Sequence, residues 1–453
     1  MAKNGVAYIC SECGWETSKW QGQCRQCKSW SSLEENTISE QKTKVISPTN
    51  QALPITEIST EETSVRSSGI SELDRVLGQG IVPGAVILLA GEPGVGKSTL
   101  LMEVTLKIAS KYPDNKVLYI SGEESASQVV LRAKRIGALQ KNILLASENN
   151  LSVVLGHIKE TKPSLVIVDS IQTISANEID AVSGSTLQVK TVANQLISVA
   201  KTTNTPIILV GHVTKDGTIA GPRVLEHLVD VVCQFEGERF GSVRMLRAVK
   251  NRFGPTDEVG CFEINENGMQ ELLDPSGLFI SENRVDTAGT CVSIALDGRR
   301  PMPIEIQSLV AGTNFAAPRR ATSGVDSSRV AMMLAVLQSR AGISVQNMDV
   351  YVSTVGGAKI NDIALDLPVV LAIISAFSNK TLPADLIAFG EVGLTGDIRK
   401  ISAVRKRLQQ AVQLGFKTVV LPANVKENLS DFDGLKFIFV SNIAEVVDRV
   451  FQR

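Results

Sequence analysis

The chain has 453 residues, which at ~150 residues per domain suggests about three domains. Hydrophobic residues make up 43% of it and charged residues 21%, which excludes a wholly disordered chain, a collagen-like chain and a disulfide-dense miniprotein. Basic residues number 46 and acidic residues 47, so the net charge favours no class of partner and any basic surface is local. No run reaches the ~18 apolar residues of a membrane span, and the N-terminus lacks an apolar signal core. We expect a cytoplasmic protein with no membrane partner.

Residues 1–30 have a pattern typical of a zinc finger. They contain all three tryptophans, Trp15, Trp20 and Trp30, and two C-x-x-C pairs, formed by Cys10, Cys13, Cys24 and Cys27. Two such pairs can present four thiolates tetrahedrally to Zn²⁺, whereas a redox dithiol would need a βα unit around one pair. We expect structural zinc that supplies the folding energy of this segment. The tryptophans would stack on nucleic-acid bases or pack around the metal, and the sequence leaves both open.

Composition divides the rest of the chain into three segments. Residues 31–65 are rich in Ser, Thr and Glu and contain no aromatic residue, so we expect a flexible tether. In residues 66–272, apolar strand patterns alternate with helical ones, which predicts an α/β domain with a mainly parallel sheet. Antiparallel strands end this domain, the last with an Asn-Gly turn at Asn267-Gly268. Residues 273–453 mix strand and helix patterns and form a predicted α+β domain. Three single cysteines are expected to be small buried hydrophobes: Cys233, Cys261 and Cys291.

A complete phosphate-binding loop (P-loop) follows the first strand pattern of the α/β domain. Its glycines allow backbone N–H groups to surround phosphates, its lysine neutralises the β- and γ-phosphates, and the next serine reaches Mg²⁺. The strand before the loop and the helix after it are the context that this motif requires. We expect ATP and Mg²⁺ to be bound by Gly91, Glu92, Pro93, Gly94, Val95, Gly96, Lys97, Ser98 and Thr99.

Acidic residues follow two other strand patterns. Asp169 ends the apolar run LVIVD, where a Walker B carboxylate would hold Mg²⁺ together with Ser98. Glu123 and Glu124 follow the run KVLYISG, and one of them would orient and deprotonate the attacking water. The alternatives are a helix-capping Asp and an acidic pair favoured by a helix dipole. The sequence does not separate Glu123 from Glu124.

Two further motifs occur at the ends of strand patterns. The first is Gly211-His212-Val213-Thr214-Lys215-Asp216-Gly217, in which we expect His212 to sense the γ-phosphate, a structural histidine being the alternative. The second is the KNRFG motif, Lys250-Asn251-Arg252-Phe253-Gly254. A cation at the end of a strand can reach the phosphate of a neighbouring subunit as an arginine finger, whereas a solvated basic turn is the alternative.

Together, the four cysteines, GEPGVGKST, VDSIQT, GHVTKDG and KNRFG resemble the RadA (Sms) family of bacterial DNA-repair proteins over essentially the whole chain. The resemblance implies a RecA-like ATPase core similar to that of hexameric DnaB-type helicases. It implies binding of single-stranded and branched DNA, branch migration during homologous recombination, and cooperation with the RecA recombinase. It also implies a ring homo-oligomer, expected to be a hexamer, in which Lys250 and Arg252 act across the subunit interface. The expected catalytic set is Lys97, Glu123, Glu124, Asp169, Lys250 and Arg252.

Residues 273–453 resemble the proteolytic domain of Lon proteases, but without its catalytic dyad. Ala364 occupies the place of the serine nucleophile and Arg405 the place of the lysine, with Lys406 one residue away. Alanine has no nucleophilic atom and arginine stays protonated, so we expect a ring-forming scaffold and not a peptidase. Two basic pairs either contact DNA phosphates or form a solvated face: Arg299 with Arg300, and Arg319 with Arg320.

These patterns lead to three functions of different classes. The leading one is a DNA-dependent ATPase, a helicase-like motor of recombinational repair. The second is a signalling-type ATPase whose zinc finger binds protein partners. The third is an ATP-dependent Lon-type protease, which Ala364 and Arg405 oppose.

Overall fold

The structure, a computed structural model, describes residues 7–13, 15–36, 54, 56, 64–177, 184–212, 223–237, 242–281, 287–313, 317–357 and 360–451. They belong to two compact units, Met1–Thr60 and Glu61–Arg453. Most of the predicted tether and the segment Lys215-Asp216-Gly217 lie outside the described residues.

The first unit contains a small antiparallel sheet, and we call the segment over 7–36 that contains it the zinc ribbon. Its strands are β1 (Ala7–Cys10), β2 (Glu16–Thr17) and β3 (Leu33–Asn36), in the order β2-β1-β3. Cys10 lies opposite Leu33 in the β1–β3 pairing, and both side chains belong to a small core with Cys24. The predicted end of this module at residue 30 is therefore too early. The acidic strand LEEN resembles the tether in composition, and only its pairing with β1 assigns it to the ribbon.

The second unit begins with a nine-stranded sheet. Its strands are β4 (Val86–Gly91), β5 (Val117–Ser121), β6 (Ile143–Ser147), β7 (Leu165–Asp169), β8 (Ile207–His212), β9 (Val231–Gly237), β10 (Val243–Asn251), β11 (Val259–Asn265) and β12 (Gly268–Glu271). The strand order is β12-β11-β10-β9-β4-β8-β7-β5-β6. From β9 to β6 the neighbours run parallel, and β10, β11 and β12 extend the sheet antiparallel. The predicted mainly parallel sheet is confirmed.

Helices cover this sheet on both faces. They are α1 (Ser71–Leu77), α2 (Lys97–Lys111), α3 (Ala126–Arg135), α4 (Leu151–Thr161), α5 (Thr186–Thr203) and α6 (Arg223–Glu226). Alternate residues of β4 enter different cores, Ile87 and Leu89 on one face and Val86 and Leu88 on the other. Such a sheet is buried on both faces, so its polar chemistry collects at the carboxyl ends of the strands.

The hairpin between β11 and β12 differs slightly from its prediction. Asn265 pairs with Gly268, so the two turn residues are Glu266 and Asn267. The predicted turn at Asn267-Gly268 is thus one residue too late. Gly268 has a φ of 126°, and a Cβ there would lie 2.6 Å from a carboxylate oxygen of Glu103, so glycine is favoured at this strand position beside the turn.

The C-terminal part of the second unit has its own mixed sheet. Its strands are β13 (Thr290–Asp297), β14 (Arg300–Gly312), β15 (Arg320–Ser323), β16 (Met348–Thr354), β17 (Leu386–Ala388), β18 (Glu391–Val392), β19 (Ile398–Arg399), β20 (Thr418–Pro422) and β21 (Lys436–Val440). Seven of them have the order β15-β16-β14-β13-β17-β20-β21, and β18 pairs with β19. The helices are α7 (Ser276–Phe279), α8 (Ser327–Ala341), α9 (Asp366–Ser378), α10 (Val404–Gln413) and α11 (Ile443–Val446). The buried helix α9 packs against β13 and β14. Among the helices described in either unit, none is both long enough and apolar enough to cross a membrane.

The two sheets of the second unit are joined by a buried ion pair. Arg300, in the β13–β14 turn, is 5% exposed and pairs with Glu72 of α1, which is 0% exposed. The same guanidinium donates to the carbonyl of Val259 at 3.1 Å, and the Glu72 carboxylate accepts from the N–H of Cys261 at 2.8 Å. The hypothesis that Arg300 contacts DNA is therefore wrong, because its charge is already enclosed between the two sheets.

Other residues of the β13–β14 turn are also paired. Arg299 lies 2.7 Å from Asp257, in the loop after the KNRFG motif, and Asp297 pairs with Arg247 of β10. The turn thus forms ion pairs both with β10, which precedes the KNRFG motif, and with the loop that follows the motif. The second basic pair, Arg319 and Arg320, is exposed, so its contact with DNA stays a prediction.

Candidate functional site

The four cysteines of the ribbon form one cluster. All four Sγ atoms lie within 4.8 Å of one another, and the Cys10–Cys27 and Cys13–Cys24 Sγ distances are both 3.6 Å. Four sulfurs at ~2.3 Å from a tetrahedral Zn²⁺ would be roughly 3.8 Å apart. Within the cluster, a hydrogen bond with the Ser32 hydroxyl lowers the pKa of Cys10 to about 6. Despite a backbone hydrogen bond that lowers it, desolvation and the neighbouring sulfurs raise the pKa of Cys13 to about 12, so the fit to zinc rests on the sulfur geometry. The cluster fits a structural zinc ion.

The tryptophans of the ribbon divide into two kinds. Trp15 is partly buried and packs against the core of Cys10, Cys24 and Leu33. Trp20 and Trp30 are 62% and 74% exposed. Only Trp15 therefore takes the predicted packing role around the cluster.

The P-loop lies between β4, which ends at Gly91, and α2, which begins at Lys97. The Lys97 ammonium donates to the carbonyls of Gly91 and Glu92 at 2.8 and 2.9 Å. Burial lowers its pKa to about 8, although the charges of Asp169 and Glu123 oppose that shift. A desolvated cation thus lies beside a helix N-terminus whose N–H groups have no partner within the helix, an arrangement that binds phosphate. Ser98 and Thr99 lie in the first turn of α2.

The predicted Walker B carboxylate has a partner that the sequence analysis missed. Asp169 ends β7, and the hydroxyl of Tyr119 on the neighbouring β5 donates to its Oδ2 atom at 2.6 Å. Both side chains are buried. A single tyrosine in the aliphatic strand VLYIS was the available signal, because a buried phenol requires a hydrogen-bond partner. The peptide bond after Asp169 is cis.

The structure separates the two glutamates that the sequence left equivalent. Glu123 accepts a hydrogen bond from the Ser170 hydroxyl and lies 3.0 Å from His212 Nε2, whereas Glu124 pairs with Arg132 of α3. Burial alone would raise the pKa of Glu123, but the hydrogen bonds from Ser170 and His212 and the charge of Lys97 lower it. Glu123 is thus an ionised group in the same network as the P-loop lysine.

His212 connects the two halves of this network. It ends β8 beside Gly91 of β4, its Nδ1 atom is 3.5 Å from Lys97 Nζ, and its Nε2 atom faces Glu123. The residues that follow in its motif, including Lys215, are outside the described part of the chain. The position is compatible with the predicted γ-phosphate sensing, which stays a prediction.

The KNRFG motif lies at the opposite ends of the strands from the P-loop. Because β9 is parallel to β4, with Phe235 beside Gly91, the first residues of β9 lie at the strand ends away from the P-loop. Strand β10 is antiparallel to β9 and ends with Asn251 opposite Val231, at those same distant ends. The motif therefore does not share a site with the P-loop of its own chain.

Two members of the motif anchor it to α1. The Asn251 amide donates to the carbonyls of Val76 and Leu77 at 3.3 and 3.2 Å. A Cβ on Gly254 would come within 2.9 Å of Gly78 Cα, so only glycine fits at this close approach.

The two cations of the motif differ in availability. Lys250 donates to the carbonyls of Glu226 and Val229 at 2.7 and 2.8 Å. Arg252 lies 3.1 Å from Asp230, and its side chain is still 55% exposed. The sequence analysis did not single out Asp230. Its carboxylate also binds Lys201 at 2.7 Å and accepts from the N–H of Val86 at 3.0 Å. These contacts hold Asp230 in place, and Asp230 in turn positions Arg252.

In the Lon-like region, the side chains of Arg405 and Arg407 on α10 face different ways. Ala364 is buried, whereas Arg405 is turned outward and pairs with Asp431. The buried cation is Arg407, which donates to Asp362 at 2.8 Å, two residues before Ala364. Residues 405 and 407 differ by about 200° around α10, so they cannot face the same way. Both residues are arginines that stay protonated, so neither is a proton acceptor for a nucleophile.

Family models match three parts of the chain. Residues 8–35 match a rubredoxin metal binding domain, residues 54–218 match an AAA domain, and residues 320–425 match the subunit ChlI of Mg-chelatase. The first agrees with the cysteine cluster, and the second agrees with the P-loop. The chain therefore has a structural zinc site and an ATPase core that uses ATP and Mg²⁺.

Curated relatives match the chain over nearly its whole length. The DNA repair protein RadA of Mycolicibacterium smegmatis is 48% identical, with 97% of this chain and 96% of the relative covered. The proteins of the same name from Bacillus subtilis and Streptococcus pyogenes serotype M1 are 42% and 41% identical, with at least 99% of both chains covered. A solved structure, a KaiC-like protein from Pyrococcus horikoshii, matches 46% of this chain and 99% of its own, at 19% identity and a TM-score of 0.39, too low to support an argument. With this identity over both full lengths, the chain belongs to the RadA family of DNA repair proteins.

Proposed function

We propose that this chain is a DNA-stimulated ATPase of recombinational DNA repair, which binds single-stranded DNA and drives branch migration together with a RecA recombinase. Its relatives are named DNA repair proteins, and its core is an ATPase. In this proposal the chain forms a ring, and each ATP is hydrolysed between two subunits. The domains are the zinc ribbon, the ATPase core over 66–272 and a proteolytically inactive scaffold over 273–453.

One subunit supplies the groups that hold ATP and activate water. Lys97 neutralises the phosphates, Ser98 and Asp169 hold Mg²⁺, and Glu123 orients and deprotonates the attacking water. The metal's role is to neutralise charge on the phosphate oxygens. Glu123 is favoured over Glu124 because it shares a network with Lys97 and His212, whereas Glu124 is occupied by Arg132.

The neighbouring subunit supplies the arginine finger. The observation that supports this step is the position of the KNRFG motif at the strand ends opposite those that carry its own P-loop. Charge on the transferred phosphoryl group needs a further cation, and such a finger contributes ~10³–10⁵ in rate. Arg252, anchored through Asp230 and half exposed, is better placed than Lys250 to extend to another subunit.

The first test is the ATPase rate with and without single-stranded DNA, over a range of salt concentrations. We expect strong stimulation that falls as salt increases, because phosphate contacts release counterions. A rate that DNA does not change would favour the signalling-type ATPase instead.

The second test mixes two inactive variants. Lys97→Ala removes nucleotide engagement, whereas Arg252→Ala keeps ATP binding and loses turnover. In rings that contain both, some interfaces pair an intact P-loop with an intact Arg252, and part of the activity returns. If verified mixed rings stay inactive, Arg252 does not act between subunits, and the motif is left as a DNA contact.

A further inference from the structure

We propose that Trp20 and Trp30 form a surface on which unpaired bases of single-stranded DNA stack. The two side chains are 62% and 74% exposed, although the ribbon has a very small core and gains little stability by leaving large apolar rings in water. Trp15, by contrast, is used for packing. Exposed aromatic rings of this kind offer π-faces to bases of any sequence.

The two tryptophans flank the second cysteine pair in the sequence, Trp20 before Cys24 and Trp30 after Cys27. Trp30 forms a β-bridge with Gln23, and its ring covers Gly22, where a Cβ would lie 3.7 Å from the indole. The N–H of Ser31 donates to the Gly22 carbonyl at 2.9 Å, which closes the hairpin two residues after Trp20. The hairpin therefore fixes the backbone that carries Trp30, so a binding strand would have little to order there.

The charges near the two tryptophans in the sequence fit a nucleic-acid backbone. Residues 17–31 include three exposed basic residues and no acidic residue, and the acidic residues of the ribbon lie outside this segment. The basic residues are Lys19, Arg25 and Lys28. Aromatic rings with interspersed cations are how proteins bind single strands without sequence preference, through stacking and phosphate contacts together. This inference rests on the proposed function and adds to it where on the ribbon the strand is bound.

The full-length protein carries its own probe, since its three tryptophans all lie in the ribbon. Oligothymidylate should quench tryptophan emission, whereas an oligonucleotide of equal length without bases should not. Trp20→Ala and Trp30→Ala should each weaken oligothymidylate binding roughly five- to 150-fold, measured by anisotropy of a labelled strand. Trp20→Phe and Trp30→Phe should recover part of that loss because phenylalanine also stacks.

Controls separate binding from folding. Trp15→Phe should leave the quenching in place, and in the Trp20/Trp30 double variant the zinc content and the emission of Trp15 report that the ribbon is folded. If labelled oligothymidylate binds but tryptophan emission does not change, or the alanine variants bind normally, the inference is wrong while the proposed function stands. If the full-length protein binds no single-stranded DNA at all, the proposed function fails too.

Discussion

The hydroxyl of Tyr119 donates a hydrogen bond to Asp169 from within a strand that is otherwise aliphatic. In the proposed mechanism, in which Asp169 helps to hold Mg²⁺, this hydrogen bond fixes the orientation of the carboxylate. The tyrosine ring also fills the core on that face of the sheet. The side chain thus has a packing role and a polar role, which a single substitution can separate.

We expect Tyr119→Phe to keep the fold and to raise the Mg²⁺ concentration for half-maximal ATPase activity by roughly tenfold, because a hydrogen bond to a charged group contributes ~1.5–3 kcal/mol. A Mg²⁺ titration of the ATPase rate measures this. Tyr112→Phe, at the end of α2 away from the P-loop, is the matched control. An unchanged Mg²⁺ dependence in Tyr119→Phe would reduce Tyr119 to a core residue.

The lowered pKa of Lys97 leads to a prediction about pH. Its pKa is about 8 because of burial, and bound phosphates would raise that pKa again. Below this pH the lysine is already protonated, so nucleotide binding takes up no proton there. Above it, binding must protonate Lys97, so we expect affinity to fall as pH rises beyond about 8.

Calorimetry can detect that proton directly. About one pH unit above the pKa of Lys97, the heat of nucleotide binding should differ between buffers of different ionisation enthalpy. Lys97→Arg should abolish the difference in any residual binding, since arginine stays protonated. Equal heats in all buffers for the wild-type protein would contradict the prediction.

At the scale of elements, the β13–β14 turn connects two sheets through ion pairs of very different burial. The pair Arg300–Glu72 is enclosed, whereas Arg299 and Asp257 are both about half exposed. Removing one partner of a buried pair costs ~3–5 kcal/mol, and Arg75, 3.3 Å from the Glu72 carboxylate, places this pair at the low end of that range. An exposed pair contributes ~0–1 kcal/mol.

We therefore expect Arg300→Met to destabilise the protein by about 3 kcal/mol and Arg299→Ala by less than about 1 kcal/mol. Adding Glu72→Gln to Arg300→Met should restore much of the loss. Differential scanning calorimetry of the full-length variants makes the comparison. Equal effects of the two single substitutions would mean that water reaches the Arg300–Glu72 pair.

The same elements show where sequence patterns suffice. The parallel strands were predictable because apolar runs and helical periodicity are local properties. Strand β3 was not, since LEEN is polar and becomes a strand only by pairing with β1. The hairpin turn was misplaced by one residue because Gly268 serves the strand beside the turn rather than the turn itself.

At the scale of the whole molecule, the residues of the candidate site were predictable and their partners were not. The P-loop and the cysteine pairs are contiguous motifs whose chemistry depends on spacing. By contrast, Tyr119 meets Asp169 across 50 positions and Arg300 meets Glu72 across 228. Such contacts depend on strand order and on which face a residue occupies, and the burial of Arg407 beside an outward-facing Arg405 depends on the phase of a helix. None of these is encoded by a local pattern.

The burial of three cysteines has a consequence for the reactivity of the chain. Burial raises the pKa of Cys233 to about 12, of Cys261 to about 11, and of Cys291 further still, so each remains a protonated, inert thiol. Thiolates react with oxidants and electrophiles, and thiols in apolar surroundings do not. Oxidation or alkylation of cysteine is thus directed to the four cysteines of the ribbon, where it would release zinc. The three thiols of the second unit would stay unmodified under the same treatment.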